Sequence, residues 1–413
     1  MWQGAKNLYH LFVALVAQVY YGFPARKLTV IGVTGTSGKT TTTHMIYEML
    51  KANGFKVSMV SSIQAILGGK SLDTGFHITT PDPHKLPQYL RQAVDAGDKY
   101  FVLEVSSHGL DQNRAAFVPF FIGVLTSLAH EHLDYHKTFV NYARAKFKLL
   151  HQSKHAVLPY GSVNEQTQKD VHYEGLASRV KTFGIDEGEE TQKEWKLKLK
   201  MPGDYNILDA LAAATVGTIV GIEKKGIVKA LESFVGLLGR YEEIPTKKDF
   251  RVVIDFAHKP DALQAVLETA RKQMKGKGRL IVLYGCASQR DLQKRGMMGE
   301  ISGRLADVTV ITDEDPRFEE PMKIINEIAT GCARAGAREI NDLGLTIKDS
   351  KERVFYKIPD RKEAIKFAIQ KLANKGDLLL FCGKGHEASM NYNGVERPWS
   401  EHAAAAEALR NLK

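Results

Sequence analysis

Cysteine is scarce. The chain has three in 413 residues, none forming a CxxC pair, which excludes a disulfide-stapled framework and a zinc ribbon and leads us to expect a reducing cytoplasm. No apolar stretch reaches the roughly 20 residues that a membrane-spanning helix needs. A secretory signal peptide is not expected either, because no small-residue cleavage site follows the apolar N-terminal stretch. There is no internal repeat and no low-complexity tract. Charge of one sign is not gathered anywhere: 57 Lys and Arg against 47 Asp and Glu give a net +10, which favours anionic ligands. The basic residues are scattered, however, and clusters such as 271–279 and 348–353 read as solvated surface rather than a nucleic-acid stripe. No nucleic-acid partner is expected.

With 44% hydrophobic and 25% charged residues, the chain can bury a real core, and its length suits two or three domains. Extended apolar runs alternate with helical patterns, the signature of parallel α/β layers. Leu8, Leu11, Phe12, Leu15 and Val19 recur at helical spacing until Gly22 and Pro24, predicting an amphipathic helix packed on the body; docking on a membrane face or a partner protein is the second reading. Strands are predicted at 28–33, 99–105, 121–125 and 155–158, and a second α/β series at 251–256, 279–285, 307–312 and 377–382. The polar stretch 161–200 reads as an edge hairpin and loops. These patterns divide the chain into an N-terminal helical segment (1–27), a central domain (28–240) and a C-terminal Rossmann-like domain (241–413).

The sequence TGTSGKTTTT (34–43) follows a strand and opens a helix, the context in which a glycine-rich phosphate loop has meaning. Backbone N–H groups of Gly35, Thr36, Ser37 and Gly38 would surround phosphates at the positive end of the helix. Lys39 would supply a cation, and Thr40, with Thr41 beside it, a hydroxyl for Mg²⁺. Val33 stands where the strict GxxxxGK[ST] pattern has glycine, so the loop is a variant. Glu104 closes a strand, and His130, His132, Asp134 and His136 crowd one short segment. Their spacing does not establish the convergent ligands of a zinc site, and Mg²⁺ ranks above zinc.

Taken together, TGTSGKT (34–40), ITTPD (78–82), EVSSHGLDQNR (104–114), HLDYH (132–136), DFAHKPDAL (255–263), RDLQKRGMMG (290–299) and GKGHE (383–387) resemble the Mur ligases, most closely the MurE type. The resemblance covers residues 28–405 and lacks the family's N-terminal uridine-nucleotide domain. It implies a P-loop ATPase domain with a mostly parallel sheet, followed by an α/β domain. It also implies ATP-dependent addition of an amino acid, a diamino acid, to a muramyl-peptide acceptor through an acyl phosphate, in peptidoglycan synthesis.

Carried over by position, Lys39 and Thr40 contact ATP phosphates and Mg²⁺. Glu104, His132 and Lys146 complete the metal set, Lys146 as a CO₂-derived carbamate. Asn206 and Arg240 match nucleotide contacts, and His258 faces ATP from the second domain, so that closure could exclude water. Thr79, Thr80, Ser106, Gln112 and Arg114 match acceptor contacts; Arg290, Arg317, Gly383 and Glu387 match contacts to the incoming amino acid. The family's DNPR becomes EDPR (314–317), keeping the arginine that suits a second carboxylate while adding charge that suits lysine. Two other functions compete: folylpolyglutamate synthase-like glutamate addition, and a non-catalytic ATP-binding partner of a cell-wall complex. The joint presence of Lys39, Glu104, His132 and Lys146 argues against the latter.

Overall fold

The computed structural model describes residues 2–72, 79–129, 131–288, 292–344 and 352–412. The chain forms two compact units, Met1–Val235 and Gly236–Lys413. The division falls ahead of the boundary expected at Arg240. Packing explains the difference: a Cβ on Gly239, which has φ +66°, would lie 2.4 Å from the backbone nitrogen of His386, and the Arg240 guanidinium sits 4.6 Å above the Phe256 ring. Residues 236–240 therefore belong to the second unit.

In the first unit helix α1 (Trp2–Tyr20) precedes a nine-stranded sheet built from β1 (Thr29–Thr34), β2 (Val57–Val60), β3 (Ala65–Leu67), β4 (Lys70–Leu72), β5 (Tyr100–Glu104), β6 (Phe120–Leu125), β7 (His155–Pro159), β8 (Val180–Gly184) and β9 (Glu190–Thr191). The strand order is 4-3-2-5-1-6-7-8-9. β1 lies between β5 and β6, parallel to both, and its TVIGVT run is buried from Val30 onward. That continuous apolar stretch is what a strand covered on both faces requires. On one face α2 (Lys39–Ala52), Asp204–Ile219 and Lys224–Ser233 contribute Ile46, Leu50, Leu211 and Ile227 to the core. On the other, Leu86 and Leu90 of helix Lys85–Asp95 pack with Val30 and Phe101. The polar stretch 161–200 forms no hairpin: β8 and β9 extend the sheet in parallel, and its Lys/Glu-rich composition reflects an exposed edge.

Helix α1 is where the sequence expectation and the structure part. It packs on the unit, but through Ala14, Ala17 and Gln18, which are buried, while Leu8, Phe12, Leu15 and Val19 are exposed. Periodicity identifies a stripe; it does not say which side of the helix the protein covers.

The second unit carries a seven-stranded sheet, β10 (Glu242–Ile244), β11 (Arg251–Asp255), β12 (Leu280–Tyr284), β13 (Val308–Ile311), β14 (Arg338–Glu339), β15 (Val354–Lys357) and β16 (Leu378–Cys382), in the order 10-11-16-12-13-15-14. Only β10 runs antiparallel. Val282 and Leu380 face one core with Leu263 and Ile325; Ile281 and Leu379 face another with Ile365 and Ala405. In both units the polar clusters described next lie just past the carboxyl ends of parallel strands, where open α/β sheets collect ligands.

Candidate active site

In the first unit, β1 ends at Thr34 and α2 begins at Lys39, leaving a turn whose backbone caps a helix N-terminus. Gly38 caps that helix at φ 84°, and a Cβ there would lie 2.1 Å from Asp209 Oδ1. Both facts require glycine. Ser37 is fixed from the end of β6: its N–H donates to Ser127 Oγ at 2.8 Å, and its carbonyl accepts from Ser127 Oγ at 3.0 Å and Thr126 Oγ1 at 2.5 Å. Thr36 shares a 2.9 Å hydrogen bond with the Tyr142 hydroxyl. The turn is held from several sides.

Two lysines converge on it. Lys39 Nζ donates to the carbonyls of Gly35 (3.0 Å) and Thr36 (3.2 Å). Lys146 Nζ donates to the same Gly35 carbonyl at 2.6 Å, is 1% exposed, and lies 4.5 Å above the Tyr142 ring. Two ammonium groups on one carbonyl oxygen repel each other, a crowding that phosphate or another anion would relieve.

Beside the lysines, Thr40 Oγ1 lies 3.1 Å from both Glu104 oxygens. Ser62 donates its N–H to Glu104 at 2.8 Å, and its hydroxyl lies 3.0 Å from Thr40 Oγ1. These are hard oxygen donors of the kind Mg²⁺ takes. Among the described residues no three His, Cys, Asp or Glu side chains gather as a metal cage. His132, at φ 54°, has its own neighbours: its ring centroid is 4.8 Å from that of His108 and 6.2 Å from that of Tyr142. Nearby, burial, helped by the charges of His108 and Lys146, pushes His136 down to about 4, so it stays neutral and bonds to Ser107 Oγ at 3.1 Å. His130 lies outside the described residues.

A polar row follows β5. Thr80 Oγ1 accepts from the Ser106 N–H at 2.8 Å and lies 3.1 Å from Ser106 Oγ. Arg114 donates to the Thr80 carbonyl at 3.2 Å and, through two nitrogens, to Gln112 Oε1 at 3.0 and 2.8 Å. Thr79 is the half-buried neighbour of Thr80. Four of the five residues expected to hold an acceptor thus form one hydrogen-bonded group. Asn206 is buried in the same unit and donates to the Pro202 carbonyl.

The second unit has its own buried polar cluster after β13 and β16. Lys384 is fully buried, 3.0 Å from Asp315 and 2.6 Å from Glu387. Gly383 adopts φ 104°, and a Cβ there would lie 2.8 Å from Glu314 Oε2. The Nε of Arg317 is buried with no hydrogen-bond partner among the described residues. Arg290 lies outside the described residues. His258 Nδ1 lies 2.8 Å from the Phe256 carbonyl; since a carbonyl only accepts, Nδ1 carries the hydrogen and Nε2 is the lone-pair nitrogen of the neutral ring. Arg240 stacks on the same Phe256.

Burial pushes Glu314 up from 4.5 to about 7, with Lys294 and Lys384 opposing and Glu387 and Asp315 reinforcing. Between these two values the folded chain holds a proton that the unfolded chain has released, so this group's stabilisation is present below about pH 4.5 and is lost as pH rises towards 7. Glu314→Gln should therefore lose less unfolding temperature over that window than the unmodified protein. Identical slopes in a thermal-melt series would exclude Glu314 as the source.

Several partners were not visible in local sequence. Ser62, Asp209 and Tyr142 carry no motif of their own and reach the loop only through the sheet and helix packing. The EDPR stretch was legible, but the burial of Lys384 between Asp315 and Glu387 was not.

A glycine turn at a helix N-terminus, with lysine and a hydroxyl–carboxylate pair, after the central strand of a mostly parallel sheet, defines a nucleotide-phosphate-binding α/β protein. Comparison with known proteins then gives the family: residues 33–217 match the Mur ligase middle domain and residues 239–385 the Mur ligase glutamate ligase domain. The chain is 35% identical over 399 residues to the UDP-N-acetylmuramoyl-L-alanyl-D-glutamate–2,6-diaminopimelate ligase of Clostridium perfringens, covering 91% of this chain and 77% of that protein. It belongs to the Mur ligase family. A solved structure of a ligase with the same name superposes with a TM-score of 0.58 at 26% identity over 93% of this chain and 78% of that one. The Mycobacterium tuberculosis folylpolyglutamate synthase shares the fold, with a TM-score of 0.67 at 16% identity over 90% of this chain and 92% of that one.

Proposed function

We propose that the protein is an ATP-dependent, ADP-forming carboxylate–amine ligase of the MurE type, which joins a diamino acid to a muramyl-peptide acceptor in peptidoglycan precursor synthesis. The observation that carries this reading is the turn at Gly35–Gly38, with Lys39, Thr40 and Glu104 assembled around it. A carboxylate is a poor electrophile. Transfer of the γ-phosphoryl group of ATP to an acceptor carboxylate oxygen makes an acyl phosphate; the amine nitrogen then attacks the carbonyl carbon and phosphate leaves. Positioning and charge neutralisation account for most of such a step.

In this reading the backbone N–H groups of Gly35, Thr36, Ser37 and Gly38 hold phosphate oxygens, Lys39 offsets their charge, and Thr41, Asn206 and Arg240 belong to the nucleotide contacts. The oxygens of Thr40 and Glu104 fit Mg²⁺, with His132 assigned to the same set, and the ion when bound supplies charge neutralisation at the phosphates. Lys146 is assigned as a carbamate, which replaces one of two crowded cations with an anion. Thr79, Thr80, Ser106, Gln112 and Arg114 orient the acceptor. Arg290, Arg317, Gly383 and Glu387 take the amino acid. The unpartnered Nε of Arg317 favours a substrate with a second carboxylate, as in diaminopimelate, since guanidinium reads carboxylates in a fork. His258, through Nε2, takes a proton from the incoming ammonium group, which then attacks as the neutral amine. ATP chemistry and three buried free cysteines suit the cytoplasm, and no helix among the described residues is long and apolar enough to cross a membrane. The reading includes a contact between α1 and a surface outside the chain.

The test is ATP-dependent phosphate release against a matrix of muramyl acceptors and amino acids, with product masses. Phosphate release that needs both a muramyl peptide and a diamino acid supports the proposal. Release driven by a pteroylglutamate and glutamate instead would replace it with the folate reading.

A further inference from the structure

The patterning of α1 is inverted. Its inner face carries Asn7 and His10 with the buried Ala14, Ala17 and Gln18, while Leu8, Tyr9, Phe12, Val16, Val19 and Tyr20 form a continuous outward stripe at helical spacing. Leu8 is 67% exposed, Phe12 65% and Tyr20 81%. A continuous apolar stripe of this kind marks a contact surface rather than scattered surface hydrophobics.

Charge chooses the occupant. No Asp or Glu occurs before Glu48, and Lys6 on the helix and Arg26 and Lys27 in the short helix after it, Pro24–Lys27, are exposed, so the segment that carries the apolar, aromatic stripe is basic. That combination matches an anionic lipid surface, where Tyr and Phe settle at the headgroup boundary and each Lys or Arg adds attraction. We infer that α1 is a membrane-docking helix lying flat on an anionic phospholipid bilayer, its apolar stripe in the interface and its inner face on the protein.

That inner face touches the polar row after β5. Asn7 donates to Asp111 at 3.3 Å and accepts at its carbonyl from Asn113 at 3.3 Å, and Gln3 bonds to the Tyr135 hydroxyl, which also bonds to Gln112. On the ligase reading, docking holds the acceptor row within about one helix diameter, ~10 Å, of lipid.

The experiment is co-sedimentation of the full chain with vesicles of phosphatidylcholine alone and of phosphatidylcholine with phosphatidylglycerol. Binding to the anionic vesicles, lost at high salt and weakened about tenfold or more by Phe12→Glu or Val16→Glu, is the expected result. Both positions are solvent-facing, so the variants should melt like the unmodified protein. No binding to anionic vesicles, or binding indifferent to both substitutions, overturns the inference. So does a dimer in vesicle-free light scattering that Phe12→Glu converts to monomer, which would assign the stripe to a second copy. Phosphate release without lipid is read separately: vesicle binding by a chain with no ligase activity keeps the docking helix and removes the ligase reading, and the converse holds equally.

Discussion

Lys39→Ala and Lys146→Ala should each lower kcat/KM for ATP-dependent phosphate release by about a thousandfold or more, and a short carboxylate such as acetate should restore only the second. The two side chains meet at the Gly35 carbonyl, at 3.0 and 2.6 Å, but their proposed tasks have opposite sign. Lys39 must remain a cation, because the phosphoryl group passing through the turn is anionic. No added anion can replace it. Lys146 contributes as an anion once carbamylated, so a small carboxylate diffusing into the space left by its truncation can take over that charge. Burial of Lys146 makes a folding defect the competing explanation for its loss. Unfolding temperature separates the two, since a misfolded variant is not rescued by acetate. Substantial residual turnover in Lys39→Ala would remove the phosphate-loop assignment. Full activity in Lys146→Ala without additive would remove the carbamate.

The difference between what the sequence showed and what it hid follows the range of the interactions. The glycine turn was legible because strand, loop and helix are contiguous: residues 28–33 read as a strand, Gly35 to Gly38 as a phosphate-binding turn, and Lys39 follows at once. Glu104 was visible as a carboxylate closing an apolar run. Ser62 was not, because its role depends on β2 lying beside β5 in the sheet, which brings a serine of no local distinction to Glu104. Asp209 is a similar case: its contact with Thr42 exists only because Asp204–Ile219 packs on α2. Eight parallel strands were read from their apolar runs, whereas β2 and β15, at four residues each, went unread, although β13 is equally short. Helix α1 failed in another way. Its period was right and its orientation wrong, because an apolar stripe predicts burial only if the protein itself is the apolar partner.

Arg361→Ala should destabilise the second unit by about 3–5 kcal/mol, lowering its unfolding temperature by on the order of 10 °C, and should also weaken amino-acid binding. Arg361 and Glu401 are both fully buried. Their carboxylate–guanidinium fork has arms of 2.9 and 2.6 Å, and Glu401 accepts as well from Trp399 Nε1 at 2.9 Å. Removing the arginine leaves a carboxylate inside the protein with one neutral donor, the circumstance in which breaking a buried pair does most harm. Replacing both partners, as in Arg361→Met with Glu401→Leu, removes the stranded charge and should recover much of the lost stability. Activity should not recover in step. Arg361 also donates to the carbonyls of Asp313 at 3.0 Å and Cys382 at 2.7 Å, the residues immediately before Glu314–Arg317 and Gly383–Glu387. It therefore joins the ends of β13 and β16 under the two segments proposed to grip the amino acid. A stable double variant with a raised KM for the amino acid and an unchanged KM for ATP would show Arg361 to be a positioning residue. An unchanged KM for both substrates would confine it to the stability of the fold.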